Sequence, residues 1–161
     1  MSSRKKVIVR KFSRDWLSGY VEPQDFARAG RLELLDLTGK VTEVALQEVK
    51  MVCFVRDFPP NDPTNPERLV RRSFTTRPRT AGIWLRLHFR DGDQLEGLAS
   101  NDLSLLDPEG IQLTPPDTRS NTQRVFVPRS ALEALQILAV IGVGAHRKPE
   151  ETATQERLFA S

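Results

Sequence analysis

Hydrophobic and polar residues alternate along Ile83–Gly97, which is the pattern of a β-hairpin. Every second position at the start of this stretch is apolar, namely Ile83, Leu85, Leu87 and Phe89, so one face of the strand would be hydrophobic. Asp91-Gly92-Asp93 supplies a tight turn, since an Asp-Gly pair tolerates a positive φ. A similar pattern covers Val7–Gly19. The sequence therefore predicts one hairpin in each half of the chain.

Strand patterns fill most of the first half. Five strands are predicted there: Lys6–Phe12, Trp16–Glu22, Arg31–Asp36, Val41–Leu46 and Lys50–Arg56. The last is nearly continuous in apolar residues, which is typical of a strand buried on both faces. Pro23–Ala29 is interpreted as a connector that could hold one helical turn. Phe58–Gly82 is interpreted as a linker because its prolines exclude a central strand, with a short strand near Val70–Phe74 as an open alternative.

The second half repeats the hydrophobic pattern of the first. Gly19 aligns with Gly97 at an offset of 78 residues, and Val52 aligns with Leu135 at an offset of 83. Each change of offset falls in a predicted loop, and the alternation within each strand is kept. The pattern predicts an internal duplication, with mid-strand glycines where a strongly coiled sheet needs a residue without a side chain.

Five short strands with a bend before the last are the order of an SH3-like or Sm-like barrel, which buries an apolar interior within about 60 residues. The expected fold is therefore all-β, with two tandem five-stranded Sm-like/SH3-like barrels related by internal duplication. Residues 1–57 would form the first repeat with a basic arm, 58–82 a Pro/Arg-rich linker, 83–145 the second repeat and 146–161 a disordered tail. The apolar run after the last repeat strand is expected to extend it and to pack between the barrels or across a dimer. A helix over Ser130–Val140, capped by Ser130, is the alternative.

Composition places the chain among soluble globular proteins. Of its 161 residues, 39% are hydrophobic and 28% are charged, and its one cysteine, Cys53, is expected to be a buried small hydrophobe in a reducing compartment. No signal-peptide pattern follows Met1, and the longest apolar run, Leu135–Ala145, is shorter than the roughly 20 residues that a membrane helix needs. A cytoplasmic protein without membrane contact is expected.

Positive charge is concentrated outside the predicted barrels. Residues 1–14 carry six basic and no acidic residues, and 56–79 carries six arginines against three acids, whereas the rest of the chain is acidic. Such segments could bind the phosphates of RNA or single-stranded DNA. The candidate residues are Arg4, Lys5, Lys6, Arg68, Arg71, Arg72, Arg77 and Arg79. The nearby aromatics Phe12, Trp16, Phe74 and Trp84 could stack on bases, although covering the barrel ends or the interdomain seam is the simpler role for the tryptophans.

Several stretches carry a resemblance to known families. Leu95-Glu96-Gly97, followed by Asp102, is similar to the first signature of Sm proteins. The succession of Leu46–Phe58, Phe89–Gly97 and Ser120–Val127 resembles a bacterial family of uncharacterised proteins built from Sm-like barrels, over residues 6–144. The resemblance implies the fold and no activity.

The Sm pattern is incomplete at the RNA-binding positions. Sm proteins that bind RNA carry an Arg-Gly pair at the corner before the last strand, where this chain has Gln47-Glu48 in one repeat and Arg129-Ser130 in the other. The acidic residue argues against RNA binding of the Sm type in the first repeat. In the second repeat Asp102 and Arg129 could form a remnant pocket; the alternative is that Asp102 caps a loop and Arg129 lies on the surface.

Two further motifs point to specific partners. Arg68, Arg71 and Arg72, followed by Asp102-Leu103-Ser104, resemble the cyclic-di-GMP-binding signature of PilZ proteins, although Asp107 replaces the expected glycine. At the end of the tail, Gln155, Leu158 and Phe159 resemble the peptide that docks bacterial proteins on the DNA sliding clamp. There the glutamine caps a polar edge, and the two apolar side chains fill a pocket.

The sequence has few residues suited to catalysis. His88 alternates with Arg86 and Arg90 on an outward face, His146 lies in the tail, and the common zinc, nucleotide and nucleophile motifs are absent. Asp91 and Asp93 flank the turn glycine and so already have a structural role. We therefore expect a cytoplasmic, non-enzymatic binding or adaptor module without a cofactor. A protein partner is the leading hypothesis, nucleic acid is the second, and a homodimer stays open.

Overall fold

A computed structural model describes residues 4–58, 72–117 and 121–142. The first half contains β1 (Lys5–Lys11), β2 (Trp16–Val21), β3 (Ala27–Arg28), β4 (Arg31–Asp36), β5 (Val41–Ala45) and β6 (Val49–Val55). The second half contains β7 (Gly82–Phe89), β8 (Gln94–Ala99), β9 (Gly110–Leu113), β10 (Thr122–Pro128) and β11 (Leu132–Ile141). Short 3-10 turns cover Leu46–Glu48, Leu103–Leu106 and Arg129–Ala131. These described segments contain no α-helix, so the all-β prediction is confirmed.

The strands form two sheets that are both open. The larger sheet has the order β3-β4-β2-β1-β6-β10-β9, with β5 also paired to β4, and the smaller has the order β11-β7-β8. A single antiparallel bridge between Leu98 and Thr114 connects the smaller sheet to the segment after β9. The prediction of two closed barrels is not confirmed, because β6 pairs with β10 of the other half. Cys53 lies opposite Val125 there, so the two halves share one sheet.

Strand β6 separates two hydrophobic cores. All seven of its residues are buried, as the sequence predicted, and successive side chains point to opposite faces. Val52 and Phe54 join the core of the first half, whereas Met51, Cys53 and Val55 join the core of the second. Cys53 is buried, as expected. Each half therefore uses β6 as part of its own interior.

Phe126 of β10 crosses from the second half into the core of the first. Its side chain is 2% exposed and belongs to the cluster around Val7, Val9 and Val52. The ring packs edge-to-face on Phe26, with 5.0 Å between the centroids. This contact ties the two halves together through side chains as well as backbone pairing.

The two mid-strand glycines lie where the backbone of a neighbouring strand comes close. Gly19 is opposite Val7 and Gly97 is opposite Leu85. A Cβ atom on Gly19 would lie 2.5 Å from the backbone oxygen of Leu35, and one on Gly97 would lie 2.9 Å from Leu113 Cβ. Neither site has room for a side chain, which is what the sequence predicted.

Three local expectations have clear outcomes. The alternative of a helix over Ser130–Val140 is wrong, because a 3-10 turn ends at Ala131 and β11 follows it. The expected extension of the last strand is confirmed as far as Ile141. The connector Pro23–Ala29 contains no helical turn and includes the two residues of β3. Residues 72–74 are not a strand, and the rest of the possible strand near Val70–Phe74 lies outside the described residues.

Candidate binding surfaces

Strand β11 is a long sheet edge. It has ten residues and pairs with β7 along its length, and no second strand pairs with it in the described part of the chain. Glu133 is its one charged residue. The backbone N–H and C=O groups on the outer side of such a strand are available to pair with another chain.

The side of β11 that continues the core-facing side of β7 is exposed to solvent. Residues directly opposite in an antiparallel pair point to the same side of the sheet. Leu135 lies opposite the fully buried Leu87, and Ile137 lies opposite the buried Leu85. Leu135 itself is 39% exposed and Ile137 is 60% exposed, and Val140 farther along is 55% exposed. The apolar face that forms the core under β7 therefore reaches solvent at β11.

The edge strand β5 of the first half has a different character. It is five residues long and pairs with β4 only. Glu43 in its middle forms an ion pair with Arg31 at 3.2 Å between Nη1 and Oε1. Short length and an exposed charge are features that keep edge strands from pairing with other chains. Compared with β5, β11 is twice as long, and between its two register shifts Ala134–Ile137 carries no charge.

Lys50 holds the hairpin turn of the second half against β6. Its ammonium group is buried and donates to Asp91 Oδ2 at 2.7 Å and to Asp93, which Arg72 also approaches at 3.6 Å. Partial burial works to raise the pKa of Asp91, but hydrogen bonds from Lys50 and from the Asp93 N–H outweigh it and hold that pKa below its ordinary value. Both aspartates therefore have a structural partner in addition to the turn.

Glu96 of β8 is a buried carboxylate that anchors the segment before β7. Its Oε1 accepts from the Phe74 N–H and from Trp84 Nε1, both at 3.0 Å, and its Oε2 accepts from Arg86 at 3.2 Å. Burial works to raise the pKa of Glu96, but the bonds from Phe74, Trp84 and Arg86 together lower it. In the sequence, Glu96 stands out only as part of the Sm-like signature. A lone acid between Leu95 and Gly97 in a buried strand was the available signal for its anchoring role.

Replacing Glu96 with glutamine is expected to lower the free energy of unfolding at pH 7 by about 1–3 kcal/mol, since an amide cannot accept from all three donors. The folded chain has the lower pKa, so the ionised carboxylate stabilises the fold above the ordinary value of 4.5 and loses this effect as the pH falls through the folded pKa. E96Q should therefore flatten the acid side of the stability–pH curve. Urea unfolding at several pH values measures this.

The matched control is Glu43→Gln, which removes an exposed carboxylate from an ion pair. Exposed pairs contribute little, so the stability of E43Q at pH 7 should stay within about 1 kcal/mol of the parent. If E96Q keeps the parent's loss of stability below pH 4.5 unchanged, Glu96 does not have the role assigned to it here.

The eight basic residues that are candidates for nucleic-acid binding differ in their exposure and in their ion pairs. Arg4, Lys5, Arg77 and Arg79 are exposed. Lys6 donates to Asp57 Oδ1 at 3.0 Å, and Arg72 approaches Asp93. Arg68 and Arg71 lie outside the described residues. The structure therefore places four of the eight on open surface and two in ion pairs.

The proposed aromatic stacking surface is divided between two places. Phe74 and Trp84 pack edge-to-face with 5.9 Å between centroids, next to Glu96. Phe12 and Trp16 are partly buried against the second-half core, and the guanidinium of Arg90 lies 3.9 Å from the Phe12 ring centroid. The packing of Trp16 on the other half agrees with the seam-covering role that was the alternative.

A polar groove that sequence reasoning missed crosses the seam, defined here as the β6–β10 pairing. Its volume is about 540 Å³, and Lys5 and Arg124 line it together with Gln24, Gln112 and Gln123. Arg124 Nη1 donates to Gln112 Oε1 at 3.2 Å. The residues come from β1 and the turn after β2 in the first half and from β9 and β10 in the second, so the β6–β10 pairing brings them together. No local pattern could have indicated this site.

Asp102 and Arg129 both stabilise the loop that contains the turn Leu103–Leu106. Asp102 accepts from the Ser104 hydroxyl and from its N–H, and these bonds lower the pKa of Asp102. Arg129 Nε donates to the backbone oxygen of Asp107 at 2.6 Å, and its Nη2 donates to that of Leu105. This arrangement is that of the loop-capping alternative. In the same loop, Asp102 and Ser104, two residues of the PilZ-like motif, are hydrogen-bonded to each other.

The remaining candidates lie outside the described residues. These are His146 and the clamp-like tail residues Gln155, Leu158 and Phe159, so the sliding-clamp hypothesis stays a prediction. Over residues 4–58, 72–117 and 121–142, no three His, Cys, Asp or Glu side chains are grouped as metal ligands would be. None of the helical turns in the same segments is long and apolar enough to cross a membrane.

The fold and its surfaces define an all-β protein with two open sheets, one exposed apolar strand edge and a polar groove across the seam. A family model described as a family of unknown function, DUF6982, matches residues 3–139, and the chain belongs to this family. Neither the curated proteins nor the solved structures contain a significant match to the chain. Membership of a family without an established function agrees with the resemblance noted in the sequence, and the family description names neither a fold nor an activity.

Proposed function

We propose that the protein is a cytoplasmic, non-enzymatic binding module that contacts a protein partner by β-strand addition at β11. The partner would supply an extended apolar segment whose backbone pairs with the outer edge of β11 and whose side chains cover Leu135, Ile137 and Val140. The observation that carries this proposal is the exposed apolar face of a ten-residue edge strand. Soluble proteins seldom leave such an edge without charges or a cover, because it pairs readily with other chains.

We also infer that the two halves arose by duplication of an Sm-like or SH3-like unit. The order β6-β1-β2-β4-β5 in the first half is matched in the second by β11-β7-β8, continued through the Leu98–Thr114 bridge toward β9 and β10. The pairs Val7–Gly19 and Leu85–Gly97 occupy equivalent places in the two hairpins. These matches support a common origin, with the barrels opened where the two units join.

Site-specific photocrosslinking in living cells tests the protein-binding proposal. A benzophenone side chain at position 137 should form adducts with one defined protein, identified by mass spectrometry of the linked peptides. The control is the same group at Leu37, which is as exposed as Ile137 but lies outside β11. No protein adduct specific to position 137, or equal adducts at both positions, would rule out β11 as a binding surface.

Nucleic-acid binding is the second candidate function, and the groove across the seam favours it. Lys5 and Arg124 could contact phosphates there, and the three glutamines offer donors and acceptors to bases. The exposed Arg4 extends the positive charge next to Lys5. The overall net charge of +3 is compatible with weak, salt-sensitive binding.

Replacing both Lys5 and Arg124 with alanine is expected to weaken binding of labelled single-stranded RNA and DNA. Loss of two phosphate contacts should reduce the slope of log affinity against log salt by about 1.4, as measured by fluorescence anisotropy at several salt concentrations. The double variant Arg31→Ala, Lys40→Ala removes the same charge at exposed residues that do not line the groove, and should bind like the parent. No binding by the parent at low salt removes this candidate.

A further inference from the structure

We propose that the partner at β11 is a second copy of this chain, paired strand to strand as an antiparallel, two-fold symmetric dimer. This inference rests on the proposed function and names the occupant of its binding surface. The three-stranded sheet β11-β7-β8 would become a continuous six-stranded sheet in the dimer. The two β11 strands would supply each other with the backbone partners and the apolar cover that the described residues do not provide.

The composition of β11 makes it self-complementary. A two-fold axis near Gln136 places Leu135 of one copy opposite Ile137 of the other, on the side of the sheet that continues the core. Glu133 lies near one end of β11, three residues from this axis, so the two carboxylates do not face each other. Aliphatic pairs in the middle and no like charges in register are the properties that favour a strand pairing with itself.

The chain already joins two sheet edges in this manner. Inside the molecule, β6 pairs antiparallel with β10 across the seam, and Phe126 lies opposite Val52 in that pairing. Both residues are buried, with exposures of 2% and 0%. The seam therefore shows that antiparallel contact between the halves gives a dry, well-packed boundary in this fold.

Pairing of β11 with β5 of a second copy is the competing arrangement, and the residues disfavour it. β5 is half as long as β11, so it would leave part of the apolar edge uncovered. It would also bring Glu43, now ion-paired with Arg31 at the surface, against aliphatic side chains. A head-to-tail contact of this kind would extend into rings or filaments, whereas self-pairing of β11 closes at two copies.

Sedimentation equilibrium of the full chain tests the dimer. The parent is expected to have twice its chain mass of 18.2 kDa. Ile137→Lys should weaken the dimer by more than about a hundredfold, because each copy would bury an uncompensated charge. Since Ile137 is 60% exposed in the single chain, the circular dichroism spectrum and midpoint temperature of I137K should match those of the parent at concentrations where the parent is dissociated.

Val41→Lys is the matched control, because Val41 is a 55% exposed aliphatic residue on the other edge strand. V41K should remain a dimer. Leu135→Lys should dissociate as I137K does, and this second interface variant ensures that misfolding of one variant does not decide the outcome. Dissociation by V41K as well as by I137K would replace self-pairing with the β11–β5 arrangement. A parent that is monomeric at about 0.1 mM would overturn the dimer altogether.

The two proposals fail in different ways. A monomeric parent that still forms crosslinks from position 137 to a different protein would overturn the dimer and leave strand addition standing. Crosslinks from position 137 to a second copy of the chain that are lost when Leu135→Lys is added would support both proposals. If neither self-association nor a crosslink at position 137 is observed, both proposals fall.

Discussion

Replacing Phe126 with alanine is expected to lower the free energy of unfolding by about 3–5 kcal/mol, among the largest effects of any single change in this chain. The ring is 2% exposed and fills the core of the half to which its own strand does not belong, edge-to-face on Phe26. Truncation would leave a cavity under β6, where neighbouring strands cannot close in. Urea unfolding followed by circular dichroism measures the loss.

F126A should still unfold in a single cooperative transition, because both cores include residues of β6. Circular dichroism follows the strands of both halves, whereas tryptophan fluorescence follows the second half, because Trp16 packs against the second-half core and Trp84 lies on β7. Both probes should give the same midpoint. Phe12→Ala is the control; its ring is only partly buried, and the loss should be smaller. Separate midpoints for the two halves, or equal losses in F126A and F12A, would contradict the shared interior.

Replacing Gly19 with alanine is expected to destabilise the fold by about 1–3 kcal/mol through overpacking. The added Cβ would meet the Leu35 backbone oxygen at 2.5 Å and the Leu34 side chain at 2.8 Å, so strand β4 itself would have to move. Gly97→Ala should cost a similar amount, because its nearest atom, Leu113 Cβ at 2.9 Å, is fixed to the backbone of β9, and the oxygen of Thr114 lies at 3.1 Å. Thermal and urea unfolding compare the two.

Gly142→Ala serves as the control for both glycine variants. Nothing lies within 4 Å of a Cβ built there, and its φ is not in the positive range. Its stability should stay within about 0.5 kcal/mol of the parent. If G19A were as stable as G142A, β2 and β4 would not approach each other as closely as described.

The strands could be predicted from sequence because their signal is local. Alternation in Ile83–Phe89 gave β7, and the continuous apolar run from Met51 to Val55 correctly predicted a strand buried on both sides. The turn at Asp91–Asp93 followed from its Asp-Gly pair. The two mid-strand glycines were predicted from their repetition, which needs no knowledge of the contacts that exclude a side chain.

Pairing between the halves could not be predicted in the same way. Both halves carry similar alternating patterns, so nothing in the residues of β6 says whether its free side meets β5 or β10. The groove lined by Lys5 and Arg124 exists only after that choice is made. Lys50 was a missed signal, since a lysine inside an apolar run needs an acidic partner, and Asp91 and Asp93 were the acids already predicted to lie at a turn.

The position of β6 between two interiors has a consequence for synthesis on the ribosome. Val55 emerges 67 residues before Thr122, the first residue of its partner strand β10. Until the strands of the second half are made, Met51, Cys53 and Val55 have no second-half core to enter, and the nascent first half exposes these apolar side chains. Stable folding of the early-made part therefore waits for the late-made part, and a ribosome that stalls between them would expose a chain suited to capture by chaperones.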